Sequence, residues 1–232
     1  MRFVSVPNAA TPLWPLPLLI AVLFLVGVHA AWALSMRDGL IPACFPYVDG
    51  CVSISRAARH GWGNHLFKLV VIPCAVLHLL VWWLAGRWLQ PEADRARAAL
   101  WMLALGAVSA LALAVYATFL GSEGEAYRFL RRYGVTVYFG FGFMAQLLLM
   151  RQAAGLGRIS PALHRAMAST AAVMLALGVI NVAAGMLGVE ATMQDRIENA
   201  SEWLLGLMLV AWYGLLAMAW RRDGFAMALS RG

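Results

Sequence analysis

A chain of 232 residues that is 62% hydrophobic, only 12% charged and carries ten tryptophans is not a water-soluble domain, in which about 25% of residues are charged. Its net charge of +7 follows from membrane topology and calls for no nucleic-acid partner. With that composition, the relevant ruler is the hydrocarbon layer, crossed as a helix by roughly 17–25 apolar residues.

Six runs fit that ruler: 16–34, 69–85, 98–120, 133–150, 167–187 and 203–220. They are continuously apolar, whereas a barrel strand alternates over about ten residues, so helices are expected. The fold class read here is all-α, a polytopic membrane protein built as one six-transmembrane-helix bundle, N-in/C-in. The first run is longer than the apolar core of a secretory signal and follows a Pro-rich lead, so it is expected to stay as a span. It contains His29.

Residues 36–65, MRDGLIPACFPYVDGCVSISRAARHGWGNH, form the densest concentration of chemistry and are read as an outer functional loop. Cys44 and Cys51 can close a small disulfide loop on an oxidising face, the alternative being two free thiols. A zinc site from Cys44, Cys51, His60 and His65 matches none of the compact ligand spacings. If Ser53–His60 is helical, Arg56, Arg59 and His60 share one face.

The second run holds Cys74, read as a packing residue, and His78. The bland reading of His78 is a neutral imidazole bonded to a neighbouring helix. A b-type haem would need paired histidines at matching depth, and His29 and His78 differ by about one helical turn, about 5 Å. The connection GSEGEAYRFLRRY after the third run brings Glu123, Glu125, Arg128, Arg131 and Arg132, and the connection before the sixth brings Asp195, Arg196, Glu198, Asn199 and Glu202. Glu202, at the threshold of the sixth span, is expected to pair with one of these arginines. Polar residues inside the spans read as interhelical hydrogen-bonding groups, and Trp14, Trp32, Trp82, Trp83, Trp88, Trp101, Trp203 and Trp220 as interface anchors at span ends. A transporter would show short, Gly/Pro-broken paired segments; only Pro73 in the second run qualifies.

Cations beside short loops are retained in the cytoplasm. With the N-terminus inside, the inner segments hold ten arginines (2, 87, 95, 97, 151, 158, 165, 221, 222 and 231) against the acids Glu92, Asp94 and Asp223. The outer segments balance eight cations with eight acids. Three separate stretches thus carry charge to the outer face, and a cationic cluster at the headgroup layer suits phosphate, which arginine binds through its planar fork.

Several short motifs, in order, resemble the Frag1/DRAM/Sfk1 family of six-span proteins, which includes PGAP2-like and Cwh43 N-terminal proteins. Phe45–Pro46–Tyr47–Val48–Asp49–Gly50 is similar to that family's Pro-Tyr-Ile-Ser-Asp-x-Gly, with one residue fewer before Asp49 and no following Pro-Glu. Ala117–Thr118–Phe119, Ser201–Glu202–Trp203, Trp212–Tyr213 and Arg222–Asp223–Gly224–Phe225 continue the likeness. The resemblance implies work on a phospholipid or lipid-linked molecule. The Ala-, Leu- and Arg-heavy composition suits a GC-rich bacterium, hence an inner (cytoplasmic) membrane and a ligand other than a GPI anchor.

The functional expectation is therefore binding or remodelling of a membrane lipid at the extracytoplasmic leaflet. If there is a reaction, it is acyl transfer or lipid hydrolysis, with His60 or His65 as general base, Asp49 orienting it, and His29, Arg56, Arg131 and Glu202 holding substrate. No nucleophile elbow, zinc-protease motif or phosphate loop occurs, and no cofactor or metal is called for. The alternative is a non-enzymatic scaffold or lipid-sensing regulator with a membrane-protein partner.

Overall fold

The computed structural model describes residues 10–89 and 96–227. Arg2, Glu92, Asp94, Arg95 and Arg231, which enter the charge count, lie outside the described residues. Six helices are long and apolar enough to cross a membrane: α1 (Pro15–Arg37), α4 (Gly61–Leu89), α5 (Ala96–Phe119), α6 (Glu125–Gly155), α7 (Pro161–Met186) and α8 (Ala191–Arg222). Inside hydrocarbon a helix satisfies its own backbone groups, which is why each apolar run takes this form. Two one-turn helices, α2 (Pro46–Asp49) and α3 (Ile54–Ala57), sit in the connection between α1 and α4.

Local signals set the ends. Pro15 opens α1 and Pro161 opens α7, where a missing N–H costs nothing, and Ser160 caps α7 by accepting the Leu163 N–H at 3.3 Å. Gly124, at φ 117°, turns the chain into α6, whose first residue Glu125 complements the helix dipole.

The helices pack in a closed ring: α1 on α4, α4 on α5, α5 on α6, α6 on α7, α7 on α8, and α8 back on α1. The two flanks of the ring, 11–14 and 223–227, meet on one face. There β1 (Thr11–Pro12) pairs antiparallel with β2 (Ala226–Met227), and Leu13 N–H donates to the Phe225 carbonyl at 3.0 Å. The described ends are thus on the same side, as an even number of crossings requires, and the connections 38–60, 120–124 and 187–190 gather on the opposite, distal face.

The terminal half of the bundle is filled by aromatic side chains. Trp82, Trp88, Trp212, Trp220 and Tyr213 are fully buried, as is Trp203 toward the distal end. This corrects the interface-anchor reading for Trp82, Trp88, Trp203 and Trp220, whose indoles point into the ring; Trp83 and Trp101 face outward. Gly106 makes room for the Trp82 ring, which the space of a Cβ there would overlap.

At mid-depth, His78 joins four helices. Trp82 Nε1–H, which can only donate, donates a hydrogen bond to His78 Nε2 at 3.0 Å, so the imidazole is neutral with its proton on Nδ1, facing the Tyr213 hydroxyl. Ser109 Oγ lies 3.2 Å from Nε2 and donates to the Tyr138 carbonyl at 2.8 Å. Asp223, the cap of α8, accepts from Trp88 Nε1 at 2.7 Å and from Arg158 at 3.1 Å, tying the ends of α4 and α8 to the α6–α7 connection on the terminal face.

Candidate functional site

The helices outrun the apolar stretches, and that extra length builds the site. α6 begins eight residues before the run 133–150, so Arg128, Arg131, Arg132 and Val135 fall at i, i+3, i+4 and i+7 on one face. α8 begins twelve residues before its run, placing Asp195, Glu198, Asn199 and Glu202 on a face of the same spacing.

That face of α8 fastens the α1–α4 connection. Asn199 Nδ2–H donates to the Gly50 carbonyl at 2.8 Å, Trp203 Nε1–H donates to the Val52 carbonyl at 2.8 Å, and a Glu202 oxygen accepts the Ser55 N–H at 3.1 Å. These side chains satisfy backbone groups that an irregular segment cannot satisfy itself. Gly50, at φ 58°, ends α2 with its Cα against the Arg196 backbone, where no Cβ would fit. Cys44 and Cys51 are joined in a disulfide, which removes the thiolates that a zinc site would need. Ser53 caps α3 by accepting the Arg56 N–H at 3.1 Å. The helix stops at Ala57, so the expected helical stretch through His60 is only half present.

Between these walls lies a polar basin of about 330 Å³, lined by Ser53, Ser55, Arg56, Arg59, Arg128, Arg131, Arg132, Glu198, Asn199 and Glu202 over a floor of Tyr116, Leu120 and Val135. All three charged stretches of the sequence contribute to it. Arg56 pairs with Asp195 at 3.2 Å. Arg131 donates to the carbonyls of Ser122 and Phe119, holding the α5–α6 turn. Arg59 Nε is buried without a hydrogen-bond partner. Burial, and then the nearby Arg131 and Arg56 guanidiniums, pull the Arg59 pKa below the usual arginine range, so the basin is electrostatically set for an anion.

Glu202 departs from expectation. Among the described residues no arginine comes within 4.0 Å of its carboxylate; the ion pairs are Arg37–Asp38, Arg56–Asp195 and Arg158–Asp223. Arg56 and Arg131, the natural candidates, are held by Asp195 and by backbone carbonyls.

Below the basin an apolar slot runs into the bundle, lined by Phe24, Val28 and His29 of α1, Tyr47, Ile54, Phe67, Leu113, Tyr138, Phe139, Trp203 and Leu209. Tyr116, Val135 and Glu202 line both slot and basin, making one space with a charged mouth and a greasy interior. Tyr47 hangs from α2 as part of the roof, its hydroxyl donating to His29 Nε2 at 3.0 Å, while His29 Nδ1–H donates to the Leu25 carbonyl at 2.6 Å. With both nitrogens of His29 and of His78 engaged, neither fits axial ligation of a haem.

Of the anticipated substrate-holding residues, Arg56, Arg131 and Glu202 share the basin, and His29 shares the slot with Glu202. The anticipated catalytic residues are not brought together. Asp49 accepts the Phe45 N–H at 2.8 Å and closes its own turn. His60 lines a side pocket with Arg59, Ser122, Glu123, Arg128 and Arg131. His65 is exposed on α4, its ring edge-on to Trp62 at 5.9 Å. Arg59, Arg128, Arg132, Tyr47 and Tyr116 complete the site beyond the anticipated substrate-holding residues; Arg59, Arg128 and Arg132 are visible in the sequence only as members of the outer cationic cluster, and the spacing of Arg128, Arg131, Arg132 and Val135 is what places three of its arginines on one helix face. Comparison with protein-family models, with curated proteins and with solved structures returns no match.

Proposed function

We propose that this membrane protein binds a phospholipid or a lipid-linked phosphate, with the phosphate in the arginine basin and an acyl chain in the slot. One observation carries the reading: Tyr116, Val135 and Glu202 belong at once to a cationic basin and to an apolar slot, a pairing that matches an amphiphile and neither a free ion nor a soluble metabolite. Arginine suits phosphate because its planar donors meet two oxygens together. We further propose that the distal face is extracytoplasmic, in the inner membrane of a bacterium, and that the chain is a relative of the Frag1/DRAM/Sfk1 proteins. The disulfide in the distal connection supports the oxidising side, and the excess of arginines over acids among the described residues of the terminal face, Arg87, Arg97, Arg151, Arg158, Arg165, Arg221 and Arg222 against Asp223, supports the same orientation. The reading is of a binding protein, because Asp49, His60 and His65 do not converge on the basin.

The test is lipid content after purification in mild detergent, measured by native mass spectrometry. Wild-type protein should retain about one phospholipid, and both Arg59→Gln/Arg132→Gln and the slot-filling Val135→Trp should retain far less while keeping their elution volume and helicity. Equal retention by all three proteins would overturn the proposal.

A further inference from the structure

The basin is not uniformly cationic; its two long walls carry opposite sign. The α6 wall presents Arg128, Arg131 and Arg132, joined by Arg59, while the α8 wall presents Glu198 and Glu202 one turn apart. Glu198 accepts a neutral donor, Gln194, at 2.9 Å, and Glu202 accepts the Ser55 N–H with one oxygen. Neither has a cation within 4.0 Å among the described residues. A half-buried carboxylate at the mouth of an apolar slot loses hydration, and Arg56 and Arg59 attract it only from beyond contact distance, so a positive group from a ligand would be its natural complement.

Resting on the lipid-binding reading, we infer that the headgroup taken here is zwitterionic, a phosphate joined by a short linker to a primary amine, as in phosphatidylethanolamine. The phosphate lies toward Arg59 and the α6 wall, and the ammonium toward Glu202. A primary ammonium is favoured over a quaternary one because the α8 side offers hydrogen-bond acceptors: the Glu202 carboxylate and the hydroxyls of Ser53 and Ser55, which stand 3.0 Å apart. An ammonium brings three donors to such a set, and a trimethylated nitrogen brings none.

The experiment offers purified protein phosphatidylethanolamine, phosphatidylcholine and phosphatidylglycerol of matched acyl chains in mixed micelles and reads bound lipid by native mass spectrometry. Wild type should prefer phosphatidylethanolamine over each of the others by about tenfold, the size of one charge-assisted hydrogen bond. Glu202→Gln should erase the preference over phosphatidylglycerol while leaving phosphatidylglycerol binding equal or higher, and Glu198→Gln should do so partially. Two results would overturn the inference: phosphatidylglycerol or phosphatidylcholine binding as well as phosphatidylethanolamine to wild type, or Glu202→Gln keeping the preference at wild-type thermal stability. Failure of all three lipids to bind would instead defeat the lipid-binding reading itself.

Discussion

Helix α8 carries a carboxylate toward each end, and the two live differently. Asp223 on the terminal face accepts from Trp88 and Arg158 and so ties the ends of α4 and α8 to the α6–α7 connection. Glu202 on the distal side accepts the Ser55 backbone N–H, and among the described residues no cation comes within 4.0 Å of it. The same chemical group thus completes the scaffold at one end and remains available at the other. Around Asp223 the bundle is packed with tryptophan, whereas beneath Glu202 it leaves a narrow apolar slot. His78 and Asp223 find their partners within the chain, whereas Glu202 has no cation in contact and Arg59 Nε no hydrogen-bond partner among the described residues.

That contrast can be broken at either end. Trp203→Ala should have the largest effect on stability, about 3–5 kcal/mol as for other buried Trp truncations. It removes a fully buried ring and the bond to the Val52 carbonyl, and the fall in thermal midpoint in detergent should come with loss of retained lipid. Gly50→Ala should cost on the order of 1–3 kcal/mol, because alanine at φ 58° is strained and its Cβ meets the Arg196 backbone; unfolding curves with an unchanged midpoint would show that the connection shifts freely. Asp223→Ala should cost about 1.5–3 kcal/mol, since it strips a charged acceptor from the Trp88 N–H, and it should leave lipid content unaltered. Glu202→Gln should shift stability by less than about 1 kcal/mol, an amide still accepting the Ser55 N–H. Similar thermal losses for Glu202→Gln and Asp223→Ala would erase the distinction between the two ends. The exposed Arg37–Asp38 pair should matter least, with Arg37→Gln within about 0.5 kcal/mol of wild type.

The six spans were legible because the bilayer enforces an uninterrupted apolar run, and His78 was legible in kind because an imidazole at mid-depth has to find partners. The lengths of the helices were not. Hydropathy ends where polar residues begin, yet α6 and α8 continue as helices through Arg128–Arg132 and Asp195–Glu202, and those hidden turns are the basin walls. For the same reason, α4 starting at Gly61 carries His65 away from His60, which a loop reading had kept together. The tryptophans misled through a correct general rule: indoles favour interfaces, but Trp82, Trp88 and Trp220 had the alternative of a ring interior that Gly106 and its neighbours leave open. Whether Glu202 met an arginine depended on competition from Asp195 and from the carbonyls of Phe119 and Ser122, partners supplied by remote segments and invisible to any local pattern.

The short pairing of Thr11–Pro12 with Ala226–Met227 has a consequence for biogenesis. The hem that seals the ring joins strands separated by all six crossings, so α1 must wait in the lipid until α8 has left the ribosome before its own flank is covered. Ring closure is therefore the last event of assembly, and a donor–acceptor dye pair on the two ends would light up only when the sixth crossing has docked.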